Sequence, residues 1–206
     1  MYPKTIQNFI EKFSKLPGIG PRQAARLAFW LLKDPKETRQ NLKRALESLD
    51  QDAQTCKLCH YIIENDGNNK CHFCDNPVRD HTTVCVVEKE TDLATIEKSG
   101  AYKGLYHVLG GLFSALDITV PKNLKIPELV KRIGDSKKNN KNAEEIILAL
   151  SPTHEGDLTA YYLEKLLRPI KVRVTRLGRG LPYGSDVEFA DAKTLSGALE
   201  SRKEIK

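Results

Sequence analysis

"CKLCHYIIENDGNNKCHFC", residues 56 to 74, places Cys56, Cys59, Cys71 and Cys74 as two C-x-x-C knuckles with eleven residues between them. Each knuckle turns two thiolates toward one point, and two knuckles complete a tetrahedral Zn2+ site. Four protein ligands leave no open position for an activated water, so one structural zinc is expected. Asn65 to Asn69 reads as the turn between the knuckles. His60, His72 and His81 lie nearby as spare donors and are read as neighbours of the site. Cys56 to His60 also matches the C-x-x-C-H haem attachment pattern. The second knuckle already pairs with the first, however, and the single methionine is Met1, which leaves no good methionine axial ligand. Cys85, in the apolar run "VCVV", is read as a small packed hydrophobe.

Outward from the cysteines the chain changes character in both directions. On the amino side, Ile6, Phe9, Ile10 and Phe13 recur at helical spacing, as do Ala24, Leu27, Ala28 and Leu31, and then Leu42, Ala45, Leu46 and Leu49. Residues 1 to 54 therefore read as helices with one apolar face each. On the carboxyl side, short apolar runs at 84–87, 106–109, 146–150 and 171–177 read as strands, with helices over 91–98, 126–133 and 157–168. That alternation implies βαβ units and a mostly parallel sheet. "SKKNNKN" at 136–142 reads as an exposed loop.

The first two helices flank "LPGIGPRQAARLAF", residues 16 to 29. Gly18 and Gly20 are expected to allow positive φ and leave no Cβ in the way of a close approach. Pro21 sits where a first helical residue would, leaving the next amides at a helix N-terminus, where orphan donors and the macrodipole favour an anion. Arg22 and Arg26 lie four apart on one face, opposite the alanines and leucines. A nucleic-acid backbone would satisfy this arrangement without any base being read. A packed αα-hairpin with no ligand is the other reading.

The 206 residues carry 33 Lys+Arg against 27 Asp+Glu, a net charge of +6, and the surplus falls at both ends of the chain. Such a bias fits a nucleic-acid partner and equally a solubilising surface. No apolar run approaches the roughly 18 residues of a membrane span, and no basic-then-apolar leader follows Met1. A soluble, cytoplasmic protein with reduced thiols and no membrane partner is expected.

Taken together, these segments resemble the RecR family of recombination mediators. "LPGIGPRQAARLAF" is similar to the helix-hairpin-helix of DNA-binding proteins, and the cysteine block follows it as in that family. "ALSPTHEGD" at 149–157 resembles the metal-binding turn of the Toprim fold, in which two aspartates one residue apart follow a strand. Glu88, after "VCVV", matches the glutamate that ends the first strand of that fold. Ser151 and Thr153 stand where the paired aspartates would be. RecR is a Toprim family without that acid pair, so the departure agrees with the resemblance. "HVLGGLFSALD" at 107–117 is similar to the family segment after the second strand, with glycines that permit a tight exit from the sheet. After Asp117 the chain reads "ITVPKN", where the family tends to carry a second glycine-proline turn.

Two-metal phosphoryl transfer needs several anionic oxygens around Mg2+, and neutral hydroxyls are poor substitutes. Glu88, Glu155 and Asp157 remain as a reduced set. A Mg-dependent Toprim nuclease or topoisomerase-like enzyme is therefore the alternative, while bound Mg2+ is not expected. Tyr161 and Tyr162 fall on a predicted helix and are read as packing residues. In "KVRVTRLGRG", 171–180, Lys171, Arg173, Arg176 and Arg179 occur with no acid, as on a charge-protected edge strand. Ser185 lacks the preceding lysine of a P-loop, so ATP binding has no support.

The resemblance implies an α/β multi-module chain: a helix-hairpin-helix DNA-binding region over 1–54, a four-cysteine zinc finger over 55–79, a Toprim domain over 80–175 and a carboxyl-terminal oligomerisation segment over 176–206. Phe189, Leu195 and Leu199 would anchor that last segment on a neighbouring subunit. The implied function is that of a non-catalytic mediator of recombinational DNA repair. It would bind single- and double-stranded DNA through Gly18, Gly20, Arg22 and Arg26. It would work with RecO, and with RecF as a second candidate partner, to load recombinase on single strands coated by SSB. Glu88, Asp92, Glu155 and Asp157 are the implied partner-facing acids, although Asp92 near a helix start also suits the dipole alone. A homo-oligomer between a dimer and a ring-like tetramer, associated with the nucleoid, completes the expectation.

Overall fold

The computed structural model describes residues 2–114, 121, 123–138 and 143–204. Residues 1–53 with 64–66 form one compact unit and the remaining residues a second. In the first, α1 (Lys4–Phe13), α2 (Pro21–Lys33) and α3 (Lys36–Gln51) follow the three apolar stripes. α2 stops at Asp34 because Pro35 follows, and the residue before a proline is driven to extended geometry, here φ −76° and ψ 157°. Arg39 then covers the exposed end of α2: its Nη1 donates to the Asp34 carbonyl at 2.8 Å and also to the Leu31 carbonyl.

The core of this unit is small. Ala24 and Ala28 are its fully buried hydrophobics among the described residues, and the Phe9 and Phe13 rings stack at 3.9 Å. α3 buries no residue fully, and Leu42, Leu46 and Leu49 are 47%, 59% and 67% exposed. With Phe9, Phe13 and Leu31, the first two of these leucines line an open apolar groove of about 400 Å³. The third stripe is thus helical as expected, but among the described residues its leucines stay largely exposed.

The short strands β1 (Ala53–Thr55) and β2 (Ile62–Glu64) pair beside the first knuckle, and in the second unit α4 (His72–Asp75) forms the second. A four-stranded sheet follows, of β3 (Asp80–Val87), β4 (Gly104–Val108), β5 (Glu145–Ala149) and β6 (Arg173–Arg176), in the order β4-β3-β5-β6. All its pairings are parallel. Crossovers carry α5 (Glu90–Lys98), α6 (Ile126–Lys138) and α7 (His154–Leu167), and α8 (Ala192–Glu200) closes the chain. α6 runs farther than its expected end at 133, so residues 136–138 of the expected loop are helical. Residues 139–142, like Asp117 and most of "ITVPKN", lie outside the described residues.

Period-two alternation divides the buried sheet between two cores. Val84, Val86, Ile146 and Leu148 face a cluster completed by α6 and α7, including Leu129, Ile133, Ala160, Leu163 and Leu167. Cys85, Val87, Tyr106 and Val108 belong to the other cluster, with Leu93 of α5, Phe73 and the four knuckle cysteines. Burial raises the Cys85 thiol to about 12, which fits its reading as a packed hydrophobe. After β4 the chain turns sharply at Gly110 and Gly111, with φ 83° and 144°, as the glycine pair required.

Candidate nucleic-acid interface and metal centre

At the helix-hairpin-helix turn, Gly18 has φ +77°, the left-handed conformation that glycine adopts without strain. Gly20 corrects the sequence expectation: it is the N-cap of α2, with φ −84° and ψ 168°. Pro21 at the first helical position imposes that extended geometry on the residue before it. No Cβ at Gly18 or Gly20 would meet an atom within 4 Å, so the surface above both is open. The Gln23 and Ala24 amides return to the Gly20 carbonyl at 3.0 and 2.9 Å. Among the described residues, the amides of Gly18, Gly20 and Arg22 make no backbone hydrogen bond. Arg22 and Arg26 are exposed on the same side of α2. Orphan donors at a helix start beside two guanidinium groups are an arrangement that favours an anion.

The surface around those two arginines extends further. In the structure Tyr2, Phe29, Trp30 and Lys33 lie beside Arg22 and Arg26 around one shallow concavity. The spacing 22, 26, 29, 33 is a helical stripe that was open to reading in the sequence.

The four knuckle cysteines are buried, unpaired by disulfides, and bring their sulfurs within 4.8 Å of one another. Among the described residues this is the group of His, Cys, Asp and Glu side chains placed to hold a metal ion. Backbone amides reinforce it: Cys71 N–H donates to Cys56 Sγ at 3.3 Å, and Cys74 N–H to Cys71 Sγ at 3.4 Å. Such bonds favour thiolates, the form a metal requires. His60 is not part of the cluster; its backbone takes φ 62°, and its ring meets the His107 ring edge-on at 5.2 Å. His81 turns its Nε2 to the Asn76 carbonyl. The geometry therefore suits one closed four-sulfur ion site, and a metal such as zinc fits it.

At the carboxyl ends of the strands, the residues in the Toprim acid positions are occupied structurally. Thr153 caps α7, its Oγ1 accepting the Gly156 N–H at 3.1 Å. A Cβ at Gly156 would stand 1.9 Å from the Ser151 carbonyl oxygen, so this turn closes only around glycine. Glu155 is exposed on the first turn of α7 and Glu88 half-buried at the end of β3. Asp92 accepts the Lys89 N–H at 3.3 Å and so caps α5. Asp157 pairs with Arg176 at 2.9 Å and with Arg179, and these guanidiniums, Arg179 foremost, hold its carboxyl below the usual range. Arg173 pairs likewise with Glu145 at 2.5 Å, so the cations of edge strand β6 meet acids of their own chain. Tyr162 packs against Phe113 as expected, but Tyr161 is 67% exposed.

A glycine-turned helical hairpin, a four-sulfur knuckle pair and a parallel sheet with hydroxyls at its Toprim acid positions define a helix-hairpin-helix/Toprim protein. Residues 6–49 match the family described as RecR, helix-hairpin-helix; residues 82–178 match the Toprim domain; residues 180–203 match RecR, C-terminal. The chain is similar to the recombination protein RecR of Bifidobacterium animalis subsp. lactis, at 42% identity over 99% of this chain and 98% of that protein. It is 43% identical to that of Roseiflexus castenholzii, over 98% of this chain and 95% of the relative. It is 43% identical to that of Desulforudis audaxviator, over 99% of both. The chain belongs to the RecR family, and a role in recombination and repair follows from that membership.

Proposed function

We propose that the protein is a non-catalytic, DNA-binding recombination mediator whose phosphate grip is the α1–α2 turn. Open backbone amides at Gly18, Gly20 and Arg22 beside the exposed Arg22 and Arg26 guanidiniums carry this reading. These groups neutralise a sugar-phosphate strand without consulting a base, so binding is sequence-independent and salt-sensitive. One zinc in the cysteine quartet fastens the knuckles to the sheet. The uncovered apolar groove of α1, α2 and α3 supports assembly with further copies of the chain, from a dimer to a ring. RecO, and RecF as a second candidate, would meet the strand-end face, with Glu155 and Glu88 as the acids offered to them. Asp92 and Asp157 shape that face through their contacts with Lys89 and the two arginines. Contact with these partners is what would bring the protein to single strands coated by SSB for recombinase loading, in the cytoplasm at the nucleoid.

Anisotropy titration of labelled single- and double-stranded oligonucleotides across a salt series tests the grip. Arg22→Ala with Arg26→Ala should weaken both forms and lower the slope of log affinity against log salt by about two. Unchanged binding in that variant would refute the assignment. Nicking or relaxation of supercoiled DNA with Mg2+ or Mn2+ that disappears in Glu88→Gln would replace the mediator with an enzyme.

A further inference from the structure

We infer that the face of α2 bearing Trp30 is a base-stacking platform for single-stranded nucleic acid. This rests on the DNA-binding reading above and adds to it a means of telling single strands from duplex. Tyr2, Arg22, Arg26, Phe29, Trp30 and Lys33 line one shallow concavity of about 590 Å³. At 100° per residue the five α2 side chains fall within one side of the helix, opposite the buried Ala24 and Ala28. Three aromatic rings are presented to solvent there: Tyr2 is 48%, Phe29 39% and Trp30 54% exposed, and Tyr2 meets Phe29 edge-on at 5.5 Å.

Charge decides what such a surface accepts. The lining contains three cations and no carboxylate, so an apolar protein face would bury guanidinium and ammonium groups without partners, at several kcal/mol per ion. A single strand meets both needs at once, phosphates for Arg22, Arg26 and Lys33, and unpaired bases for the rings. From Arg22 to Lys33 the platform extends about 16 Å at 1.5 Å per residue, room for a few nucleotides. Duplex DNA cannot use the rings, because its base faces are already stacked on one another. It would engage the cations alone.

Trp30 is the chain's single tryptophan, so its fluorescence reports the contact directly. Unlabelled oligo-dT should quench it saturably, at the midpoint that anisotropy gives for a labelled copy. Trp30→Ala should weaken oligo-dT binding about tenfold, the change that corresponds to ~1.4 kcal/mol and lies within the range for one stacked base. Binding of a duplex, and of an abasic strand of equal length, should not change. Trp30→Phe keeps an aromatic face and should retain most of the oligo-dT affinity. An equal loss for all three nucleic acids, or oligo-dT bound without quenching, would overturn the platform. A fall in oligomer mass in Trp30→Ala would assign the face to a second copy and overturn it too. If Arg22→Ala with Arg26→Ala abolishes binding of all three while Trp30→Ala alters none, the platform fails and the phosphate grip stands. If the unaltered protein binds none of them, both readings fail.

Discussion

Arg79 and Glu97 meet through two parallel N–H···O bonds of 2.8 and 2.9 Å, which fasten the segment leaving the second knuckle to the end of α5. The pair is part of a larger cluster. Arg79 Nε donates to the Gly104 carbonyl at 2.8 Å, its guanidinium lies over the Phe73 and Tyr106 rings at 5.1 and 5.5 Å, and Tyr106 Oη donates to Glu97 at 2.6 Å. The Arg79 side chain is only 10% exposed. Replacing it by alanine takes this donor from the Glu97 carboxylate and the Gly104 carbonyl and opens a gap over two rings. Loss of one partner of a buried pair costs about 3 kcal/mol or more; solvent reaching Glu97 lowers this to about 2 kcal/mol. A reduced urea midpoint for Arg79→Ala, measured with the cysteine site saturated with zinc, checks it.

The same pair sets an acid dependence. Arg79 holds the Glu97 carboxyl below its ordinary range, with Tyr106 assisting against the opposing effect of burial. A depressed carboxyl contributes its full stability above the unfolded value, near 4.3, and loses it as pH falls through the folded one. Stability should therefore decline below about pH 4.5 more steeply in the native protein than in Glu97→Gln. Denaturant midpoints at pH 4 and pH 7 for the two proteins give the comparison.

How much of this was open to reading in the sequence depends on the range of the interaction. The knuckles, Pro21 at the helix start, and the alternation that produced β3 to β6 are local patterns, and each lies where its pattern put it. Gly20 was also within reach, since a residue before proline is held extended, but glycine by itself points to positive φ. Arg79 and Glu97 stand 18 residues apart with β3 and most of α5 between them, and the return of α5 along β3 and β4 brings them together. Asp157 looked available to a partner for the same reason. Its arginines arrive from the end of β6, which reaches it because β6 pairs in parallel with β5.

Metal removal should act on one side of the sheet. The cysteines share a core with Phe73, Tyr106 and Val108, and the Val108 amide donates to the Cys59 carbonyl at 2.8 Å. The opposite core, built on α6 and α7, contains none of them. A thiol reagent should release one zinc per chain, read with a chromogenic chelator. Hydrogen exchange should then rise across residues 56–75 and at Val108, while Ile146, Leu148 and the middle of α7 stay protected. Uniform loss of protection would show that the sheet has no stability apart from the ion.

Thr153 and Gly156 separate two roles for the strand-end turn. Thr153→Ala deletes the cap on the Gly156 amide and should cost about 1 kcal/mol, with DNA affinity unchanged because the hydroxyl serves α7. Gly156→Ala is a harsher change. Its methyl would fall 1.9 Å from the Ser151 carbonyl oxygen, a backbone atom with no rotamer to yield, so the turn itself must open. A cost on the order of 3 kcal/mol is expected, the upper end for forced overpacking. Thermal unfolding ranks the two variants, and Thr153→Asp supplies the control. Aspartate also caps helices well, so that variant should hold its stability while returning one carboxylate to the position that Toprim enzymes use. If Thr153→Asp is as unstable as Thr153→Ala, capping is not what the side chain does here.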